Sequence, residues 1–441
     1  MKKYVIKGGN SLSGKVDIAG AKNVVLKAIV AACLTDEEVI LENVPQISDV
    51  YYMVEMVRDF GGEVDQTGNT LKIRVEDIKS PRLKLETAVK MRASSLFFAP
   101  FIVRCGRAEI PNPGGDRIGA RRIDMHIDGL RKIGVEVENK NDGYFYATAK
   151  TLRGASYRFT KNTHTGTEQM ILAGVMADGQ TVLTNCAQEP EVDELIELLN
   201  LMGADIKRTA SRTITINGVK RLNGARYKIR SDRNEAVTFA IASALTGGKI
   251  WLKNVNVDVL KEFIEEFKKA GGEVESSDDN GIRFYIVDRI KPTDIMTEIY
   301  PGFMTDWQGP WCVLMTQADG ESSIHETIYE DRFQYVNELK KMGADIELYN
   351  PKVVNPEEFY NFNYDDCTAE TKHAIKIKGK VDLNNAVLTM MDLRAGATLV
   401  LGALIANGES TIYGVEQIER GYENFDARLK KLGADIEYIE E

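Results

Sequence analysis

FGGEVD at 60–65, IGVEVE at 133–138, MGADIK at 202–207, AGGEVE at 270–275, MGADIE at 342–347 and LGADIE at 432–437 are six versions of one phrase. Their glycines, Gly61, Gly134, Gly203, Gly271, Gly343 and Gly433, are separated by 73, 69, 68, 72 and 90 residues. Each phrase follows a segment whose apolar residues recur at three and four, such as VDELIELLNL at 192–201 and VLKEFIEEFKK at 259–269, which predicts a helix. A glycine just past the last helical residue supplies the left-handed cap, and the alternation after it predicts a strand.

A second phrase precedes each helix: EEVILENV at 37–44, GRAEIPNP at 106–113, GQTVLTNC at 179–186, GGKIWLKNV at 247–255, GESSIHETI at 320–328 and GESTIYGV at 408–415. Alternation after turn residues predicts another strand in each. Strand, helix, glycine and strand therefore form one unit, repeated six times. A single solenoid generally has a shorter period, so an α/β fold of two domains with three units each is expected, dividing near Tyr227–Asp232. The longest spacing maps to Asn350–Lys380, rich in Tyr, Asn and Asp and without helical period. It reads as an inserted surface excursion. Its Asp365, Asp366, Cys367 and His373 are metal-ligand types, but a solvated loop is the preferred reading.

A chain of 441 residues exceeds one ordinary core, and 43% hydrophobic with 28% charged residues excludes disorder and fibrous repeats. The net charge of -10 argues against a nucleic-acid partner; cations for an anionic substrate must be gathered locally. Five scattered cysteines without a CxxC pair give neither a disulfide framework nor a zinc site, which suits a reducing cytoplasm. The apolar stretches Val24–Leu34 and Ser95–Val103 fall short of the roughly 20 residues of a membrane span. MKKYVIKGG lacks an apolar signal core, so a cytoplasmic protein with no membrane partner is expected.

NPGGDRIGAR at 112–121 is too polar and glycine-rich to be core, and reads as a mobile loop whose Arg117 and Arg121 offer forked donors for phosphate or carboxylate. Other polar clusters fall at unit ends: GAKN with Lys22 and Asn23, KMRASS with Arg92, SDRNEA with Asp232 and Arg233, PGFMTDWQ with Asp306, YEDRF with Arg332, MDLRAG with Asp392 and Arg394, and IERGYE with Arg420. Any one alone is more readily a surface pair. Their shared position argues for function. GGNSLSGKV at 8–16 nearly matches a phosphate-binding GxxxxGK[ST] loop, but Val16 replaces the hydroxyl residue and a strand follows where a helix is required.

Together, GAKN, MRAS, PGGxxIGAR, QEPE, TDxQ, DLRAG and RGYE, in this order along the whole chain, resemble the enolpyruvyl transferase family, in particular its members that act on UDP-N-acetylglucosamine. The resemblance implies a two-domain inside-out α/β barrel of six similar βα units: residues 21–229 with a lid loop at 112–121, and residues 1–20 plus 230–441 with an insertion near 350–380, the active site in the interdomain cleft. It implies an acceptor hydroxyl adding to C2 of phosphoenolpyruvate, a proton going to C3, and phosphate leaving, with no cofactor and no metal. By resemblance, Lys22, Asn23, Arg121, Arg394 and Arg420 hold phosphoenolpyruvate, with Arg332 supporting. Arg92, Arg121, Arg122, Ile123, Asp124, Met125, Lys161, Thr163, His164, Asp306 and Ile328 surround UDP-N-acetylglucosamine.

Asp306 is then the general base, and Lys22 and Arg420 also assist catalysis. Asp116 stands where the family usually has a cysteine proton donor, so covalent inactivation by fosfomycin is not expected. An aspartic acid starts near pKa ~3.9 against ~8.5 for a thiol, and needs desolvation to donate. Alternatives are a paralogue without activity, an enzyme for shikimate 3-phosphate or another nucleotide, and a non-catalytic repeat scaffold. Oligomeric state has no sequence signature here.

Overall fold

The computed structural model describes residues 2–116, 118–140, 142–277 and 281–440. The chain forms two compact units, one comprising Gly20–Asp116 and Arg122–Arg230, the other Met1–Ala19, Arg117–Arg121 and Ser231–Glu441. Each has its own hydrophobic core, the first running from Ala21 to Ile229 in sequence, the second drawing on Tyr4–Ile18 as well as Ala236–Ile436.

The repeated phrases become the same elements six times. The strands after the glycines are Glu63–Thr67, Glu136–Asn139, Asp205–Ala210, Gly272–Ser276, Asp345–Tyr349 and Asp435–Glu440. Those of the second phrase are Val39–Glu42, Arg107–Pro111, Gln180–Thr184, Lys249–Lys253, Glu321–His325 and Glu409–Tyr413. Within each repeat the two strands belong to one sheet, giving among the described residues six separate sheets, five of four strands and one of three, three sheets in each unit. The six glycines have φ between 89° and 110°, a region closed to side-chain-bearing residues without strain.

Inside each unit lie helices with almost no exposed face. Lys22–Ala32, Phe98–Cys105 and His164–Gly174 serve the first; Arg233–Leu245, Gln308–Thr316 and Leu393–Ile405 pack on one another in the second. The sheets, with their amphipathic helices, surround these internal ones: helices inside, strands outside, as the inside-out α/β architecture requires. Among the described residues no sheet closes on itself.

The excursion is smaller and drier than expected. Residues Ala374–Lys378 are a strand paired to both Glu321–His325 and Asp345–Tyr349, so the insertion proper is 350–373. Nor is it wholly a solvated loop. Tyr360, Phe362 and His373 are buried, and the Tyr360 hydroxyl lies 3.1 Å from His325 Nε2. Aromatic area of this size gains more from burial than from water, whatever the polarity of its neighbours. Among the described residues no group of three or more His, Cys, Asp or Glu could hold a metal. None of the described helices is long and apolar enough to cross a membrane.

Candidate active site

Several of the candidate residues sit at or just before the N-terminal ends of the internal helices. Lys22 is the first residue of Lys22–Ala32, and Arg92 opens the 3-10 turn Arg92–Phe97 that leads into Phe98–Cys105. Thr163 caps His164–Gly174 by accepting from Gly166 N–H at 3.2 Å. Asp232 caps Arg233–Leu245, Asp306 lies in the turn Thr305–Trp307 before Gln308–Thr316, and Asp392 caps the helix that begins Leu393–Arg394. Unsatisfied N–H groups and the positive end of the helix dipole make such positions favourable for anions.

In the second unit, Asp306 lies between two guanidinium groups. Its Oδ1 accepts from Arg332 Nη2 at 2.7 Å and its Oδ2 from Arg394 Nε at 3.1 Å. Burial alone would push the carboxyl pKa up, but Arg394 and Arg332 outweigh it and pull the value down to about 2. Arg394 also donates to the Tyr422 hydroxyl at 3.1 Å. Arg420 ends the 3-10 helix Val415–Arg420 and donates to Gln417 at 3.3 Å.

Arg121, with φ +45°, lies 5.7 Å from the ring centre of Tyr329, and Arg332 lies 5.4 Å from the same ring. Beside it the Glu330 carboxylate accepts from Ala120 N–H at 2.5 Å. It comes so near Gly119 that a Cβ there would fall 2.3 Å away. Gly119 to Arg121 thus pack in the second unit, where the sequence expectation had kept 112–121 whole in the first domain. Arg117 lies outside the described residues. Ile328 N–H donates to Glu326 at 2.8 Å.

In the first unit, Lys22 is 7% exposed and its Nζ lies 2.7 Å from Asp49 Oδ2. Asn23 and Lys161 are half-buried, as is Asp116. Arg92 donates to the Arg122 carbonyl at 3.0 Å, which ties two expected site segments together. Ile123 is buried just before Asp124–Lys132, whose exposed Asp124 and half-buried Met125 form its first turn; the Met125 carbonyl accepts from Tyr157 at 3.1 Å. His164 Nε2 is 3.0 Å from Glu168 Oε1, and Lys27 Nζ is 3.4 Å from that oxygen. Burial and Lys27 draw the imidazole pKa down, yet Glu168 prevails and raises it.

Several of these partners escaped the sequence reading. Asp49 reads as an ordinary first-turn acid on an amphipathic helix, Glu168 and Lys27 as ordinary helix charges. Tyr329 and Glu330 stood within the quoted YEDRF without a role, and Glu326 carried no signal.

Residues 6–429 match the family described as EPSP synthase (3-phosphoshikimate 1-carboxyvinyltransferase). The chain belongs to this enolpyruvyl transferase family. Proteins named UDP-N-acetylglucosamine 1-carboxyvinyltransferase from Acidobacterium capsulatum and Solibacter usitatus are both 41% identical to it; the first alignment covers 100% of this chain and 96% of the relative, the second 100% of both. The like-named protein of Koribacter versatilis is 40% identical, over 100% of this chain and 97% of the relative. In fold, the chain is similar to the enolpyruvyl transferase NikO from Streptomyces tendae, with a TM-score of 0.86 at 22% identity, covering 99% of this chain and 98% of that one. It is also similar to EPSP synthase from Acinetobacter baumannii, with a TM-score of 0.72 at 19% identity over 100% of both chains.

Proposed function

We propose that this chain transfers the enolpyruvyl group of phosphoenolpyruvate to the 3′-hydroxyl of UDP-N-acetylglucosamine and releases phosphate, committing that sugar to peptidoglycan. The observation that carries the reading is the carboxylate of Asp306 held between Arg332 and Arg394, in a chain about two-fifths identical, along its full length, to proteins named for this reaction.

In this reading Lys22, Asn23, Arg121, Arg394 and Arg420 hold the phosphate and carboxylate of phosphoenolpyruvate, and their charge offsets that of the tetrahedral adduct. Arg92, Arg122, Ile123, Asp124, Met125, Lys161, Thr163, His164 and Ile328 receive the nucleotide sugar. With a pKa of about 2, Asp306 is a weak base while both guanidinium groups face it. Substrate anions that draw on Arg332 and Arg394 weaken that hold, and the carboxylate becomes basic enough to take the hydroxyl proton as C2 is attacked. Asp116 delivers a proton to C3 to complete the adduct; a proton then leaves C3 as phosphate departs from C2, which restores the carbon–carbon double bond and completes the transfer.

Phosphate release from phosphoenolpyruvate, measured with UDP-N-acetylglucosamine and with shikimate 3-phosphate in parallel, tests the assignment. Turnover with the nucleotide sugar alone is expected. The shikimate reading has support in the description of the matched family, and turnover with shikimate 3-phosphate alone would establish it instead.

A further inference from the structure

Glu326 follows directly on the strand Glu321–His325, and its side chain turns inward with no exposed surface. A carboxylate in that position must be satisfied by the protein. Oε1 accepts from the backbone N–H of Ile328 at 2.8 Å and of Tyr329 at 3.1 Å; Oε2 accepts from the Thr305 hydroxyl at 2.8 Å. Its own N–H donates to the His373 carbonyl at 2.8 Å, so the main chain is held on the opposite side too.

The two arms of this carboxylate lead to different parts of the chemistry. Thr305 is the residue before Asp306 in the turn Thr305–Trp307. Ile328 and Tyr329 lie in the loop that continues to Glu330, which grips Ala120, and to Arg332, which grips Asp306. The segments are 21 residues apart along the chain at the Thr305–Glu326 contact. The side chain of Glu326 links them directly.

We infer that Glu326 is a positioning residue for the transfer: one buried carboxylate fixes the turn bearing Asp306 and the loop bearing Ile328 and Tyr329 in a single register. The inference rests on the proposed roles of Asp306 and Ile328. What matters in it is the pattern of acceptors, since Glu326 touches no reacting group. A glutamine can reproduce that pattern: its carbonyl oxygen accepts from both amides while its NH2 donates to a turned Thr305 hydroxyl. Leucine reproduces none of it, and valine at 305 removes the Thr305 arm alone.

Steady-state kinetics of Glu326→Gln, Glu326→Leu and Thr305→Val in the full chain, with thermal melting of each, make the test. Thr305→Val is expected to lower kcat roughly 10-fold at unchanged KM for UDP-N-acetylglucosamine. Glu326→Leu is expected to lower kcat on the order of 100-fold and also raise that KM, as a misplacement near 1 Å does. Glu326→Gln should stay within about 3-fold of the parent in both.

If Thr305→Val and Glu326→Leu melt lower yet keep the parental kcat and KM, Glu326 only stabilises the fold and the inference fails. It also fails if glutamine damages turnover as much as leucine, for then charge is what counts. Should leucine prevent folding, the split between kcat and KM in Thr305→Val and the glutamine rescue decide the matter. A parent chain that turns over only another acceptor would sink the acceptor assignment; the same ratios measured with that acceptor would still judge Glu326.

Discussion

Replacing Asp306 with Asn keeps the shape of the side chain and removes its charge, leaving Arg332 and Arg394 facing an amide. The pKa of Asp306 falls from 3.8 to about 2 in the fold, a difference worth about 2–3 kcal/mol of net favourable interaction with the ionised carboxylate. Asp306→Asn should therefore melt at lower temperature at neutral pH, with a loss of about that size. The sign follows from the depressed pKa. The contribution is fully present above about pH 4, where the carboxylate is ionised in folded and unfolded chains alike, and is lost as pH falls through about 2.

The gap in stability between parent and variant is thus expected to be level from pH 8 to pH 4 and to shrink below that. Turnover should fall by roughly 10²- to 10⁴-fold, the usual contribution of a positioned general base, without a matching rise in KM for phosphoenolpyruvate. Melts across pH and steady-state rates of phosphate release read both effects. A variant with kcat within a few-fold of the parent would refute the base assignment. A stability gap unchanged at pH 3 and below would refute the charge argument.

Asp116→Asn should lower kcat about 10²- to 10⁴-fold, whereas Asp116→Cys should restore turnover and become sensitive to fosfomycin in a time-dependent way that survives removal of the drug, which the parent does not show. Lys22→Ala leaves the buried Asp49 without the ammonium 2.7 Å away and should cost about 3–5 kcal/mol of stability by urea unfolding, much of it recovered in Lys22→Met with Asp49→Asn. His126 is buried, and burial with Arg92 nearby lowers its pKa from 6.5 to about 3. As pH drops below 6.5 the unfolded chain takes a proton that the folded one refuses, so stability falls toward acid, by about 2 kcal/mol at pH 5 from this group. His126→Gln should flatten that part of the stability curve. His164→Asn should raise KM for UDP-N-acetylglucosamine more below pH 6 than at pH 8, because Glu168 favours the charged imidazole; an equal effect at both would count against a cationic role.

The repeats were legible because each demands something of the backbone. A glycine at φ near +100° and a strand that alternates faces leave marks of fixed spacing. The six internal helices left none: ALVL-type runs such as LRAGATLVLGALI at 393–405 are apolar on every side, so no 3.6-residue period distinguishes a core helix from any other buried run. The sequence named Asp306, Arg332 and Arg394 separately, by their place at unit ends. It could not pair them, since Arg332 and Arg394 lie 26 and 88 positions from Asp306 along the chain. The stretch after Asn350 was read as solvated because it is rich in Tyr, Asn and Asp and lacks a helical period, while a few rings, Tyr360 and Phe362 foremost, decide how it packs.

Lys22, Asp306 and Arg394, three of the fixed charges of the proposed chemistry, stand at the starts of helices that have almost no outer face. A first turn so placed cannot fray without disturbing the centre of its unit, so its amide groups and cationic side chains keep their aim whether or not an anion is there to receive it. The ordering entropy was surrendered when the unit folded, and an arriving phosphate gives up little beyond its own freedom. Asp116 is carried on irregular chain rather than on such a helix.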